Sequence, residues 1–143
     1  MEVYFYISDP YTYVNLNDSI VDHIDVPPLF LGESAEHFTQ WVAKKNDFKF
    51  PTPVINSAYR GSIIWEVYID KNGNLSLVTL VNNDPLNSEM YNSITATLLS
   101  SPQWTPGRHE GEPAVTKYIM GVVWGHYRVN NKRGRMIFGG AYW

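Results

Sequence analysis

Apolar and polar positions alternate most regularly between Gly61 and Val81. Ile63, Trp65, Val67 and Ile69 alternate with Ser62, Ile64, Glu66 and Tyr68, the period of a half-buried strand. Asp70-Lys71-Asn72-Gly73 follows as a turn. Asn-Gly is a strong two-residue hairpin signal because both positions accept positive φ. Leu75 to Val81 then returns as the partner strand. Helical spacing appears twice. Phe38, Trp41 and Val42 stand at i, i+3 and i+4, which predicts a helix over Ala35 to Lys45. Ser34 is its cap, and Lys44 and Lys45 face its negative end. Leu86, Met90, Ile94 and Leu98 recur every four residues and predict a second amphipathic helix. Asn82 to Pro85 opens that helix and Ser101-Pro102 stops it.

The remaining pattern supplies further strands. Ala114 to Trp124 reads as a long one, and Val3 to Ile7, Tyr11 to Leu16 and Ile20 to Val26 as short ones. Asp9-Pro10 separates the first two of these as a turn dipeptide. Phe50-Pro51 opens a short helical segment through Ala58. Tyr127 to Asn131 and Met136 to Trp143, on either side of Asn131 to Gly134, predict a final hairpin. The expected class is α+β: an antiparallel sheet of three long strands with helices packed on one face, plus N-terminal strands and a C-terminal hairpin extension. With 143 residues the chain is expected to be a single domain, 1–143. Its core would run over 27–124, with Tyr-rich strands over 1–26 and a strand extension over 125–143.

Composition narrows the function classes. A net charge of -3 argues against nucleic acid, whose phosphates demand a basic excess. The charge is uneven. Residues 1–47 hold eight acids against Lys44 and Lys45, whereas 125–143 hold Arg128, Lys132, Arg133 and Arg135 and no acid. The plain reading is two solvated faces; the sharper one is a basic C-terminal edge offered to an acidic partner. Cysteine is absent, which removes disulfides and thiolate metal sites. No apolar run approaches the roughly 20 residues of a membrane span, and Met1 to Asp9 lacks the basic start of a signal peptide.

Catalytic constellations are missing too. His23, His37, His109 and His126 are scattered without a zinc-binding pair. Asp70-x-Asn72-x-Asn74 departs from a calcium loop, because Gly73 falls at position four and Val81 stands where a bidentate Glu is required. Ser100-Ser101 has no nucleophile-elbow context and there is no Gly-rich phosphate loop. The expectation is a non-enzyme without cofactor or metal.

From Ser101 the chain reads SPQWTPGRHEGEPAVTKYIMGVVW. A helix stop leads into a Trp104-Thr-Pro106-Gly107 corner, then a polar excursion with Gly111 and Pro113, then the long strand. This order resembles the C-terminal domain of the TonB family, where a W-x-P-G corner and G-x-P-V lead into the last strand. Phe50-Pro51 stands for the family's Tyr-Pro pair, Gly61-Ser62-Ile63 for its strand entry, and Ile69 to Leu75 for its Ile-Asp-x-x-Gly-x-Val hairpin. Pro27 to Trp41 resembles a P-x-F-x-G-G helix lead-in, with Leu31 in place of its first glycine. The likeness covers about 27–124.

The resemblance implies a periplasmic module that docks an extended peptide, such as the plug segment of an outer-membrane receptor, by strand addition. The docking edge is expected along Ala114 to Val123, with Val115, Thr116, Lys117, Tyr118, Ile119 and Met120 as contact residues. Either Lys117 and Ile119 or Thr116 and Tyr118 would point outward. By resemblance Phe50 and Pro51 would flank the groove. Three alternatives stand beside this reading. The extension Tyr127 to Trp143 would itself cover the edge; two copies would pair as a homodimer through edge strands; or the chain is a free-standing, cytoplasmic adaptor or immunity-like inhibitor with the same fold.

Overall fold

A computed structural model describes residues 2–14, 19–21, 24–45, 60–84 and 89–125. Among these residues seven strands and two helices follow one another: β1 (Glu2–Ile7), β2 (Tyr11–Val14), β3 (Ser19–Val21), α1 (Glu36–Lys45), β4 (Gly61–Ile69), β5 (Leu75–Asn83), α2 (Glu89–Leu99), β6 (Gly107–His109) and β7 (Glu112–Gly125). The class is α+β, with all strands in antiparallel pairs. The path across the sheet runs β3-β2-β7-β4-β5, with β1 and β6 also paired to β7. The short helical segment expected at Phe50-Pro51 and the hairpin expected beyond residue 126 lie outside the described residues.

One face of the sheet carries the core. Ile63, Trp65, Val67 and Ile69 of β4 are fully buried with Tyr118, Met120, Val122 and Trp124 of β7. Phe38 and Val42 of α1 and Met90, Ile94 and Leu98 of α2 complete the same cluster, so both amphipathic stripes meet the predicted sheet face. Tyr91 stacks on Trp65 at 6.4 Å, and its hydroxyl hydrogen-bonds the Thr79 hydroxyl at 2.7 Å. Trp41 lies against the cluster beside Phe38, with the Lys45 ammonium 5.6 Å above its ring.

The turns differ from expectation in an informative way. At Asp70 to Gly73 only Gly73 has positive φ, at 87°. The Gly73 amide donates to the Asp70 carbonyl at 3.0 Å, and the Asp70 carboxylate accepts from the amides of Asn72 and Asn74. This is a type I turn followed by a left-handed glycine, a three-residue loop and not the expected two-residue Asn-Gly turn. The two-residue turns sit elsewhere. Glu110 and Gly111 have φ of 52° and 81° between β6 and β7, and Leu31 and Gly32 have 51° and 81° between the bridged Phe30 and Glu33.

Leu31 therefore occupies a left-handed conformation that costs an L-residue with a Cβ roughly 1–2 kcal/mol. Its side chain is 61% exposed, so little packing would be lost on its removal. Leu31→Gly is expected to raise stability by about 0.5–1 kcal/mol, the relieved strain being partly offset by a freer unfolded chain. A chemical-denaturation midpoint that stays level or falls would contradict the strain.

Candidate functional site

The expected docking strand β7 is the central strand of the sheet. β4 pairs along one edge from Ile69↔Thr116 to Gly61↔Trp124. On the other edge β1 pairs from Ile7↔Met120 to Glu2↔Gly125, and β2 pairs Tyr11↔Lys117 to Tyr13↔Val115. The expectation of an open edge along Ala114 to Val123 is thereby overturned. The covering elements are the N-terminal strands; the extension expected to cover it lies outside the described residues. The sequence carried a signal for this. Ile119 to Trp124 is apolar on both faces, and every residue from Met120 to Gly125 is buried, as in a strand enclosed by neighbours.

The six predicted β7 residues split between the two sheet faces. Thr116, Tyr118 and Met120 are buried on the helix side. Val115, Lys117 and Ile119 are half-buried in the alternate positions. The Lys117 ammonium lies 3.3 Å from the Glu66 carboxylate, which also accepts from the Tyr68 hydroxyl at 2.9 Å. Thr116 abuts Gly107, and its hydroxyl has no hydrogen-bond partner among the described residues. Phe50 and Pro51 lie outside the described residues.

Two features of the described residues bear on binding. The first is β5, which ends the sheet path and has no strand on its outer side among the described residues. Leu75 to Asn83 contains no charged side chain. The pairing Ile64↔Val81 is followed by Trp65↔Thr79, so Leu80 is an extra residue in a bulge. The bulge turns successive side chains to the same side of the edge, and Val78, Leu80 and Val81 are each between 42% and 49% exposed. Val78 lies opposite Glu66.

The second is a cavity at the break between β1 and β2. Pro10 has no amide proton, so the ladder to β7 cannot continue through it. Ser8 patches the gap: its amide donates to the Ile119 carbonyl at 2.8 Å, and its hydroxyl accepts from the Ile119 amide at 2.9 Å. Opposite the gap stands Tyr118, 1% exposed, its ring 6.0 Å from Trp104. A cavity of about 350 Å³ opens there between the end of β1, the Pro27 to Leu29 strap and the entry of α1.

No family model, curated protein or solved structure matches this chain.

Among the described residues no cluster of three or more His, Asp or Glu could hold a metal ion, and no helix is long and apolar enough to cross a membrane. Burial raises the Tyr118 phenol well above its ordinary value of 10.0, and raises Tyr6 in the same direction for the same reason. A group whose folded pKa is raised holds its proton more tightly when folded, so its contribution is complete below about pH 10 and is lost as pH rises further. Stability is therefore expected to fall above about pH 10, and Tyr118→Phe should flatten part of that fall. Identical alkaline unfolding curves for the two proteins would show that Tyr118 does not contribute.

Proposed function

We propose that this chain is a non-enzymatic protein-interaction module of the TonB C-terminal type, taking an extended peptide as an added strand along β5. The observation that supports this most is the uncharged, partly apolar β5 edge, left unpaired among the described residues. Added strands gain backbone hydrogen bonds from such an edge, while alternate side chains select the sequence. The neutral strand Leu75 to Asn83 suits a peptide with alternating apolar residues better than a strongly charged one. Edges left open are commonly protected by Lys or Pro; β5 has neither, and among the described residues the bulge at Leu80 is what limits pairing. The regular ladder from Leu75 to Thr79 is the stretch best suited to an added strand.

The resemblance at Trp104, Pro106, Gly107, Gly111 and Pro113 supports a receptor plug segment as the partner and the periplasm as the compartment. A second reading, a free-standing adaptor or immunity-like inhibitor, is favoured by a different observation. Residues 2–14 do not act as a linker; β1 and β2 complete the sheet around β7. Both readings use the same edge and differ in the partner.

Val78→Lys combined with Leu80→Lys is expected to weaken binding of a Thr-Val alternating peptide by at least about tenfold, since a charge on the edge opposes strand addition. The thermal midpoint should hold within a few degrees, because both side chains are about half exposed. Without peptide, amides along Val115 to Val123 should exchange slowly and the outward amides of β5 fast. Slow exchange along all of β5 in the free monomer would sink the proposal. Protection that appears only as the protein dimerises would assign the edge to a second copy instead.

A further inference from the structure

The cavity at the β1–β2 break is separated from β5 by β7 and β4, and the strand-addition reading makes no use of it. Its walls are Ile7, Pro10, Pro27, Pro28 and Leu29, rigid and apolar. Its polar groups fall into two kinds. At the floor, Tyr118 is 1% exposed, and its hydroxyl has no hydrogen-bond partner among the described residues. Near it is the entry of α1, where the amides of His37 and Phe38 donate to the carbonyls of Ser34 and Ala35, leaving those of Ala35 and Glu36 without a backbone acceptor among the described residues. At the rim stand two carboxylates, Asp9 and Glu36, and none of the described residues lining the cavity is a cation.

A hydroxyl on a residue that lines a cavity and has no protein partner is open to a hydrogen bond with whatever fills the site. Water can do so, but a cavity of about 350 Å³ falls within the range of small-ligand pockets. Flat proline and aliphatic walls suit a planar ring. The phenol at the floor suits a polar tip on that ring, because it can donate or accept. The two carboxylates suit a positive charge on the solvent side and oppose a negative one.

We propose that this cavity binds an aromatic ring joined to a cation. The ring lies between Pro10 and the Pro27–Leu29 strap, its polar tip meets the Tyr118 hydroxyl, and its cation is held by Asp9 and Glu36. Two sources carry that chemistry, a free aromatic amine and an aromatic residue beside Lys or Arg in a polypeptide.

The test is amide-resolved NMR titration of the full chain with tyramine, neutral 4-ethylphenol, anionic 3-(4-hydroxyphenyl)propionate and the peptide acetyl-Lys-Tyr-Lys-amide. Tyramine should shift Ser8, Asp9, Ala35, Glu36 and Tyr118 saturably and bind at least about tenfold more tightly than the anionic analogue. Asp9→Asn with Glu36→Gln should weaken tyramine by about three- to tenfold while leaving 4-ethylphenol unchanged, since exposed ion pairs contribute up to about 1 kcal/mol each. Tyr118→Phe, which removes a hydroxyl and keeps the ring, should weaken all three phenols with an unchanged fold. Tighter binding of the peptide than of tyramine would assign the site to a polypeptide; weaker binding would assign it to a free amine. Equal affinity for the cationic, neutral and anionic rings would overturn the proposal. So would the absence of saturable shifts at these amides, or shifts that survive the Tyr118 and carboxylate variants undiminished. Peptide binding at β5 should be unaffected by these variants, so the two sites fail or hold separately.

Discussion

Truncating Trp104 to alanine is expected to destabilise the fold by about 3–5 kcal/mol, the range for deleting a large buried aromatic. Trp104 is 2% exposed and stands where four parts of the chain meet. Its ring centroid lies 5.2 Å from Phe30 just after the strap, 5.1 Å from Phe38 of α1 and 6.0 Å from Tyr118 of β7. Its indole N–H donates to the Ser101 hydroxyl at 3.0 Å, and its backbone amide donates to the Gly73 carbonyl at 2.8 Å. The contacts come from separate elements, each fixed by its own packing, so most of the cavity cost should remain. Denaturant unfolding with an unchanged slope measures the loss. Ser101→Ala, which removes the hydrogen bond from the indole and the one the Ser101 hydroxyl donates to the Pro102 carbonyl, should cost about 1 kcal/mol. A Trp104→Ala protein less than about 1 kcal/mol below the parent would show that the corner is not the junction of the core.

Gly73→Ala is expected to cost at least about 3 kcal/mol, from two sources that add. At φ of 87° the residue is in the left-handed region, where a Cβ costs roughly 1–2 kcal/mol. A Cβ at this position would also fall on the backbone carbonyl of Trp104. A backbone group cannot swing aside as a side chain can, so the turn and the Trp104 corner must separate and their hydrogen bond must lengthen or break. The two substitutions share this contact. Their combined effect should be smaller than the sum, with a coupling of about 0.5–3 kcal/mol in a double-mutant cycle. Additive losses would mean that hairpin and corner are energetically independent.

The two helices and the β4–β5 hairpin were legible because each is written in local periodicity. Alternation over Gly61 to Ile69 reproduces the observed burial residue for residue, buried at each odd position from Gly61. The four-residue spacing of Met90, Ile94 and Leu98 marks the buried stripe of α2. Turn type was less legible. Asn72-Gly73 satisfies the pattern of a two-residue turn, but the Asp70 carboxylate gathers the amides of Asn72 and Asn74 and favours a longer loop. Conversely, Leu31 and Glu110 are residues that turn rules place outside the left-handed region. Both adopt it, each within a bridged turn, Phe30 with Glu33 and His109 with Glu112.

What the sequence determined by itself is which face of each element is buried and where the chain reverses, because side-chain period and turn chemistry act within a few residues. What only the tertiary structure decided is which strand lies at the centre and which at the edge. Edge status depends on backbone groups that every residue but proline carries alike, and on partners more than a hundred residues away, as Tyr4 is from Val123. The candidate sites shifted for that reason. β7 had the apolar, strand-forming side chains of a docking strand, but Val3 to Ile7 and Tyr11 to Tyr13 occupy its second edge. Among the described residues β5 is left without a strand on its outer side, and the Asp9-Pro10 step, locally a turn, became in three dimensions a gap where Tyr118 lines a cavity.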